Sequence, residues 1–340
     1  MRLTGQVVAF RADASLRLGM GHVMRCLTLA DELRRQGAAC LFLCEEQPGD
    51  MTTEIGARGY PVHVLHAGAE LASVDVMVVD HYSIGEAWET AVRSCCRYVV
   101  VLDDLADRNH NCDLLIDQNL GRTESHYLPL VPPGCRILTG SDYAMLRAEF
   151  AGMRDYSLRR REPASLRRVF IFMGGVDRSN ITGKVLGALR QGDLPPGASI
   201  TVVLGPQAPW AEQVRQEAAR LPWGSEVRVA PQDMAQLMAD SDLAVGAAGG
   251  AAWERCCLGL PSLIIPIADN QLFGAKALSE ANAAYNLGDP DALPESLPRA
   301  LAALRNVERL TEMGACASRL VDGLGAARVC EYIGELLERS

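Results

Sequence analysis

The chain has 340 residues, of which 49% are hydrophobic and 22% charged, a balance typical of a globular protein long enough for two domains. Thirty-three Lys and Arg against forty-two Asp and Glu give a net charge of −9, which argues against binding to nucleic acid or to an anionic membrane. No apolar run approaches the roughly 18 residues of a membrane span, and the N-terminus lacks the form of a signal peptide. We therefore expect a cytoplasmic protein.

The eleven cysteines are scattered, with adjacent pairs at Cys95–Cys96 and Cys256–Cys257 and no C-x-x-C motif. A disulfide framework or a zinc site would need regular spacing. The pattern therefore predicts buried, reduced thiols and no metal site.

Short β-rich runs alternate with helical patterns in the first half of the chain. Several runs are continuously apolar and β-branched, as in strands of a parallel sheet that helices cover on both faces. A helix over Gly21–Gln36 carries Val23, Leu27, Ala30 and Leu33 on one face. The predicted strands are Val7–Arg11, Cys40–Cys44, Val62–Leu65, Val74–Asp80, Tyr98–Asp103 and Leu114–Asp117.

The stretch Met153–Arg168 interrupts this alternation, because it is charged and contains Pro163. It predicts a linker over residues 156–168 between an N-terminal domain, 1–155, and a C-terminal domain, 169–340, whose tail from about Val307 is helical. The result is two doubly wound domains. The strands predicted after the linker are Val169–Met173, Ile200–Leu204, Val227–Ala230, Leu243–Gly246 and Leu263–Ile267.

The first predicted strand leads through Asp13 into Gly19-Met20-Gly21-His22 and the first helix. Glycines there allow a close backbone approach, and the helix N-terminus offers N–H groups to an anion. A dinucleotide fingerprint would need a third glycine where Met24 stands, so the sequence gives little support to a Rossmann cofactor. We expect no cofactor.

His22 is the candidate general base. The positive end of the helix dipole favours a neutral imidazole, which is a competent base near pH 7 at the rim of a cleft. A histidine that merely caps the loop is the alternative. His81 and Tyr82 follow the strand that ends at Asp80 and reach the same edge. A structural role is preferred for His81, whereas both roles stay open for Tyr82.

Two glycine pairs in the second half each follow a strand and precede a helix. Gly174–Gly175 and Gly249–Gly250 could hold a diphosphate between their N–H groups, although either pair alone is common in ordinary turns. Glu254 could accept from two ribose hydroxyls. Asp269-Asn270-Gln271 lies at the end of the last predicted strand, where a plain helix cap is the alternative.

Three segments together resemble the motifs of a known family. They are RADASLRLGMGHVMRCLTLADEL, MGGVDRSNIT and AAGGAAWERCCLGLPSLIIPIADNQ. In this order they are similar to the pseudaminic-acid pathway hydrolases of UDP-2,4-diacetamido-2,4,6-trideoxy-β-L-altropyranose. Those enzymes are related to the GT-B nucleotide-sugar glycosyltransferases, including the lipid II glucosaminyltransferase. The resemblance covers most of the chain and implies an α/β, GT-B-like fold with two Rossmann-like domains facing across a cleft.

The resemblance also implies roles for residues at the matching positions. His22 corresponds to the catalytic histidine and Tyr82 to a tyrosine at the cleft, while Glu254 would bind the ribose. The remaining implied site residues are Asn270 and Gln271 at the sugar or its phosphates, and the turns Gly174–Gly175 and Gly249–Gly250 at the diphosphate. Gly21 belongs to the same phosphate-facing set.

The sequence departs from the family pattern at both glycine turns. Val176 stands where a serine usually follows the first pair, and Ala248, Ala251 and Ala252 replace hydroxyl residues around the second. Backbone N–H donors remain at both turns. We therefore expect diphosphate binding to persist and the identity of the sugar to be the more open question.

The resemblance implies a hydrolase in bacterial nonulosonic (pseudaminic) acid biosynthesis, and we expect it to act without a metal. His22 would deprotonate water opposite UDP, which inverts the anomeric centre, while Asp13 orients the imidazole or the sugar and Tyr82 positions a hydroxyl or the water. A glycosyltransferase with a soluble acceptor and a non-catalytic nucleotide-sugar-binding protein remain alternatives. A UDP-sugar is the expected ligand, and a monomer is compatible with the sequence.

Overall fold

The computed structural model describes residues 3–66 and 73–338, and the chain divides into two compact units. The first unit runs to Leu146 and resumes at Leu324, whereas the second comprises Arg147–Gly323. Each unit has its own parallel sheet and its own hydrophobic core. The chain therefore crosses between the units twice.

The described residues of the first unit form one sheet of seven parallel strands in the order β3-β2-β1-β4-β5-β6-β7. The order reverses between β1 and β4, so the loops that follow these two strands leave in opposite directions and a crevice opens at their carboxyl ends. The strands are β1 (Val7–Ala12), β2 (Ala39–Cys44), β3 (Val62–Val64), β4 (Val74–Asp80), β5 (Cys96–Leu102), β6 (Leu114–Asp117) and β7 (Arg136–Thr139).

Burial on both faces explains the apolar composition of the central strands. In β4, Val76 and Val78 join one hydrophobic core, whereas Met77 and Val79 join the core on the opposite face. Neighbouring side chains of a strand point to opposite faces, and helices cover both.

The second unit has a sheet of the same kind, with six parallel strands among the described residues in the order β10-β9-β8-β11-β12-β13. Its order reverses between β8 and β11. The strands are β8 (Arg168–Phe172), β9 (Ser199–Leu204), β10 (Gly224–Val229), β11 (Leu243–Ala247), β12 (Ser262–Ile265) and β13 (Tyr285–Asn286).

Helices connect the strands in both units. In the first helix Val23, Leu27, Ala30 and Leu33 are buried, which confirms the predicted apolar face. The helices are α1 (Gly21–Arg35), α2 (Thr52–Ala57), α3 (Glu86–Val92), α4 (Ala148–Arg160), α5 (Ile181–Leu189), α6 (Ala211–Ala219), α7 (Met234–Asp240), α8 (Ala251–Cys257), α9 (Leu272–Glu280), α10 (Leu293–Leu304), α11 (Val307–Leu320) and α12 (Gly325–Glu338).

The structure divides the chain differently from the predicted linker at 156–168. Helix α4 covers the first part of that stretch and belongs to the second unit. Its arginines are not a solvated charged face, because Arg154 donates hydrogen bonds to the carbonyl oxygens of Cys257, Ser318 and Val321. Arginines that donate to backbone carbonyls in this way give the sequence the composition of a linker, but in the structure they hold α4 against the rest of the second unit.

The C-terminal boundary also differs. The predicted second domain extends to residue 340, but α12 packs against α1 and belongs to the first unit. Val329, Cys330 and Ile333 of α12 are fully buried in the core of that unit. No helix within 3–66 and 73–338 is both long and apolar enough to cross a membrane.

Candidate functional site

His22 lies in the first turn of α1, at the reversal point of the first sheet, and makes a direct contact with the end of β4. Its Nδ1 is 2.5 Å from Oδ1 of Asp80, and the residue is only 5% exposed. An ionised carboxylate only accepts hydrogen bonds, so this contact places the proton on Nδ1 and the lone pair on Nε2. Within the described part of the chain, no hydrogen bond to Nε2 occurs. The imidazole is thus arranged as a base.

Arg25 holds the same carboxylate from the next turn of α1. Residues three apart share a helix face, and here Nε and Nη2 of Arg25 lie 2.5 and 2.6 Å from the two oxygens of Asp80. Burial alone would raise the pKa of Asp80, but the charge of Arg25 and the hydrogen bonds from Arg25 and His22 hold that pKa well below its usual range. The carboxylate therefore stays ionised although it is fully buried.

Asp13 was expected to orient either the imidazole or the sugar, and it is Asp80, not Asp13, that contacts the imidazole. The carboxylate of Asp13 is buried, lies 2.6 Å from Nη1 of Arg11 and accepts the N–H of Glu45 at 2.8 Å. His81 approaches its other oxygen at 3.3 Å. Although burial raises the pKa of Asp13, His81 and Arg11 lower it below the usual range. Asp13 thus holds together the ends of three strands, β1, β2 and β4.

Tyr82 contacts His22 through its ring. The two ring centroids are 4.3 Å apart, and the planes meet at 82° in an edge-on arrangement. Gly21 is exposed beside the imidazole, and a Cβ there would meet no atom within 4 Å. The structure therefore brings together Gly21, His22 and Tyr82 at one place on the first unit.

The glycine turn after β8 is shaped by its neighbours. Gly174 has a positive φ of 93°, which favours glycine. The turn after β9 approaches so closely that a Cβ at Gly205 would overlap the carbonyl oxygen of Gly175. The N-terminus of α5 is already capped, because Asp177 accepts the N–H groups of Ile181 and Thr182. Donors for an anion at this turn must therefore come from the Gly174–Val176 backbone and not from the helix.

The second glycine turn connects β11 to α8, and β12 lies beside β11 in the sheet. Gln271 bridges the two loops: its Oε1 accepts the N–H of Ile267 at 3.1 Å, and a Cβ at Gly249 would stand 3.3 Å from its Nε2. Gly250 precedes α8 directly, and Asn270 is half-buried in the same short turn as Gln271. The structure groups these residues at one edge of the second sheet.

Glu254 lies on α8 with its side chain 17% exposed. Nη2 of Arg147 lies 3.4 Å from its Oε1, and burial raises the pKa of the carboxyl while Arg147 lowers it. This carboxylate therefore has a cationic partner already and oxygen capacity left for other donors.

Two further carboxylates lie on the same edge of the first sheet and were not recognised in the sequence. Asp103 follows β5, Asp117 ends β6, and the hydroxyl of Tyr127 lies 3.0 and 2.8 Å from one oxygen of each. One hydroxyl carries one proton, so only one of these two contacts can be a hydrogen bond while both carboxyls are ionised. Burial raises the pKa of Asp117 to about 6. When Asp117 is protonated, it can donate to the Tyr127 hydroxyl while that hydroxyl donates to Asp103, so both contacts are hydrogen bonds.

The described residues contain no group of three or more His, Cys, Asp or Glu side chains placed to hold a metal ion. Among the predicted site residues, those of the first unit gather around the end of β4 and those of the second around the ends of β8, β11 and β12. Sequence reasoning gave no role to Asp80 or Arg25. The signal for both was present, since an acid ends the apolar run of β4 and Arg25 is three residues after His22.

Comparison with known proteins finds a family model that is similar to most of the second unit. Residues 169–325 match the model of the glycosyltransferase family 28 C-terminal domain. Among solved structures, MurG from Acinetobacter baumannii superimposes with a TM-score of 0.72 at 18% identity, covering 97% of this chain and 99% of that one. Anabaena Alr3699/HepE in complex with UDP and glucose gives 0.59 at 16% identity, covering 98% and 99%. The predicted two-domain, Rossmann-like GT-B fold is thereby confirmed.

Three relatives are similar at the sequence level. A UDP-2,4-diacetamido-2,4,6-trideoxy-beta-L-altropyranose hydrolase from Campylobacter jejuni is 27% identical over 259 residues, 74% of this chain and 88% of that protein. The spore coat polysaccharide biosynthesis protein SpsG from Bacillus subtilis is 24% identical over 342 residues, 98% and 99%. The uncharacterized protein MJ1062 from Methanocaldococcus jannaschii is 26% identical over 268 residues, 76% of this chain but only 55% of that relative's length.

The Asp117–Tyr127 contact generates a prediction on stability. In an unfolded chain an aspartate has a pKa near 4. With a folded pKa of about 6, the folded state binds more protons between about pH 4 and pH 6, so stability from this group is present below about pH 4 and lost as pH rises through about 6. Asp117→Asn imitates the protonated acid. As the pH rises from 4 to 7.5, we expect the free energy of unfolding of the variant to increase relative to that of the wild type by roughly 1–3 kcal/mol.

Urea unfolding of both proteins across this pH range measures the difference. Asp107→Asn, which removes an exposed carboxyl from the same stretch of chain, is the control. A difference between Asp117→Asn and the wild type that stays constant with pH would show that Asp117 is ionised throughout.

Proposed function

We propose that this protein hydrolyses a UDP-linked 2,4-diacetamido-2,4,6-trideoxyhexose at its anomeric carbon and releases UDP. The observation that carries the proposal is the buried Asp80–His22 pair, which leaves Nε2 as a base at the reversal point of the first sheet. Ligands collect at such points in open α/β sheets. The C. jejuni relative, whose name describes this reaction, supports the choice of substrate.

In the proposed mechanism His22 takes a proton from water while the water oxygen attacks C1. The C1–O bond to UDP breaks, and the electron pair of that bond stays on the diphosphate. The attack comes from the face opposite UDP, so the anomeric configuration inverts. Asp80 stabilises the imidazolium that forms, and Arg25 keeps Asp80 ionised for this task. Tyr82, packed edge-on to the imidazole, restricts its rotation and borders the position of the water.

The second unit is proposed to hold the nucleotide. Backbone N–H groups of the turns Gly174–Gly175 and Gly249–Gly250 contact the diphosphate, with Nε2 of Gln271 beside Gly249. Asn270 contacts the sugar, and Glu254 accepts from the ribose hydroxyls. UDP is a good leaving group, and donors aimed at its developing charge are sufficient to assist its departure.

Transfer of the sugar to a soluble acceptor is the second candidate. It is favoured by the match of residues 169–325 to the glycosyltransferase family 28 C-terminal domain. The same base can deprotonate an acceptor hydroxyl or water. Incubation with UDP-sugars and no acceptor, followed by NMR, distinguishes the candidates: a hydrolase releases UDP and an inverted free sugar, whereas a transferase releases UDP only after an acceptor is added. A non-catalytic binding protein releases none in either case.

Replacement of the base tests the mechanism. We expect His22→Ala to lower kcat for UDP release by roughly 10²–10⁴, because a positioned general base contributes that much, and to leave the Kd for UDP nearly unchanged. His63→Ala, at an exposed histidine of β3, should retain full activity. Full turnover in His22→Ala would remove this residue from the mechanism.

Replacement of Glu254 should give the opposite kinetic pattern. Loss of a charged acceptor for the ribose is expected to raise KM for the UDP-sugar roughly 10- to 100-fold and to change kcat much less. Steady-state kinetics of Glu254→Ala and Glu254→Gln measure both constants, and Arg147→Ala separates loss of the carboxylate from loss of its partner. A fall in kcat at unchanged KM would contradict the assignment to the ribose.

A further inference from the structure

Arg255 is a buried cation directly beneath the second glycine turn. It lies on α8, is 1% exposed, and donates from Nη2 to the carbonyl oxygen of Ala247 at 2.8 Å. Its guanidinium passes so close to β11 that a Cβ at Gly246 would stand 2.6 Å from Nη1. A residue larger than glycine at position 246 would therefore collide with the charged group, which fixes its place under the turn.

The hydrogen-bonding capacity of Arg255 is mostly unused. Nε and Nη1 are buried without an acceptor, and no carboxylate of the described residues lies within ion-pair distance, 4.0 Å. Glu254, the neighbouring acid, is directed to Arg147. Other arginines of this unit use more of their donors: Arg154 and Arg161 each donate to three backbone carbonyls, although Nε of Arg161 is also buried without a partner among the described residues.

An uncompensated buried charge is strongly unfavourable unless something else stabilises it. Burial lowers the pKa of Arg255 to about 10, which still leaves the guanidinium protonated at neutral pH. The positive charge is therefore shielded from solvent and has no carboxylate within 4.0 Å among the described residues. An anion bound on the turn above it would supply the missing partner charge through a low-dielectric medium.

We propose that Arg255 is the buried countercharge for the diphosphate at the turn formed by Ala247–Gly250. The inference rests on the proposed function and specifies how that site favours a diphosphate over an uncharged ligand. Arg255 is a positioning residue: it holds the carbonyl of Ala247 and acts on the diphosphate by its charge from below. Ala248, Ala251 and Ala252 give the turn no side-chain donor, so the phosphate preference depends on backbone N–H groups and on this cation.

The experiment compares UDP with uridine, which lacks the phosphates. Binding of both ligands is measured by NMR titration for the wild type and for Arg255→Met, Arg255→Gln and Arg255→Lys. Arg161→Met is the matched control, since it removes another arginine of the same unit, half-buried, whose pKa burial also lowers to about 10. We expect Arg255→Met and Arg255→Gln to weaken UDP binding roughly 10-fold or more while uridine binding is unchanged.

Arg255→Lys retains the charge and should keep most of the preference for UDP, and Arg161→Met should keep all of it. If Arg255→Met does not fold, the comparison of Arg255→Gln with Arg255→Lys decides. Equal weakening of UDP and uridine, or no weakening of UDP, overturns the inference. If the wild type binds no UDP, the proposed function and the inference are overturned together. If it binds UDP with the expected dependence on Arg255 but releases no UDP from UDP-sugars, only the proposed catalysis is overturned.

Discussion

The Asp80 carboxylate is the group on which the proposed chemistry depends. It ends β4 without solvent exposure, and both of its oxygens are engaged by two residues of α1, His22 and Arg25. A buried carboxylate is stable only when it is paired, and Arg25 supplies the pairing charge. Because Asp80 stays ionised, it accepts the Nδ1 proton of His22 and leaves Nε2 as the base. The proposed base, the position of α1 and the ionised state of Asp80 thus depend on one set of contacts.

In both sheets the candidate site residues lie at the point where the strand order reverses. In the first unit this point lies between β1 and β4, and in the second between β8 and β11. Loops from the two central strands diverge there, so their N–H groups and side chains are accessible while the strands stay buried. The first unit has the proposed base, His22, and its partner Asp80 at this point. The second has two glycine turns and the cation Arg255 at the corresponding point.

Much of the fold could be predicted from the sequence because its central strands are buried on both faces. Runs such as β4 and β5 are continuously apolar, and the eleven predicted strands correspond to eleven of the strands observed in the described residues. The two strands that were not predicted, β7 and β13, are edge strands of four and two residues. The predicted linker failed because the arginines of α4 bind backbone carbonyls, a use of charge that composition does not reveal.

The candidate site was less accessible to sequence reasoning. The motif around His22 indicated the candidate base, but its partner is 58 residues away. Asp13, which was expected to orient the imidazole or the sugar, belongs to a separate ion-pair network. Pairing of β1 with β4 decides which acid reaches α1, and that pairing is a long-range property. The helix cap by Asp177 and the burial of Arg255 beneath the second glycine turn likewise depend on contacts that only the fold creates.

The most direct test of the account is the tautomer of His22. Long-range nitrogen–proton NMR correlations of selectively labelled protein distinguish a protonated Nδ1 from a protonated Nε2. The account predicts that in the neutral ring the proton is on Nδ1, facing Asp80, and that this preference disappears in Asp80→Asn. A neutral ring protonated on Nε2 would contradict it, since that nitrogen could not then accept a proton from water.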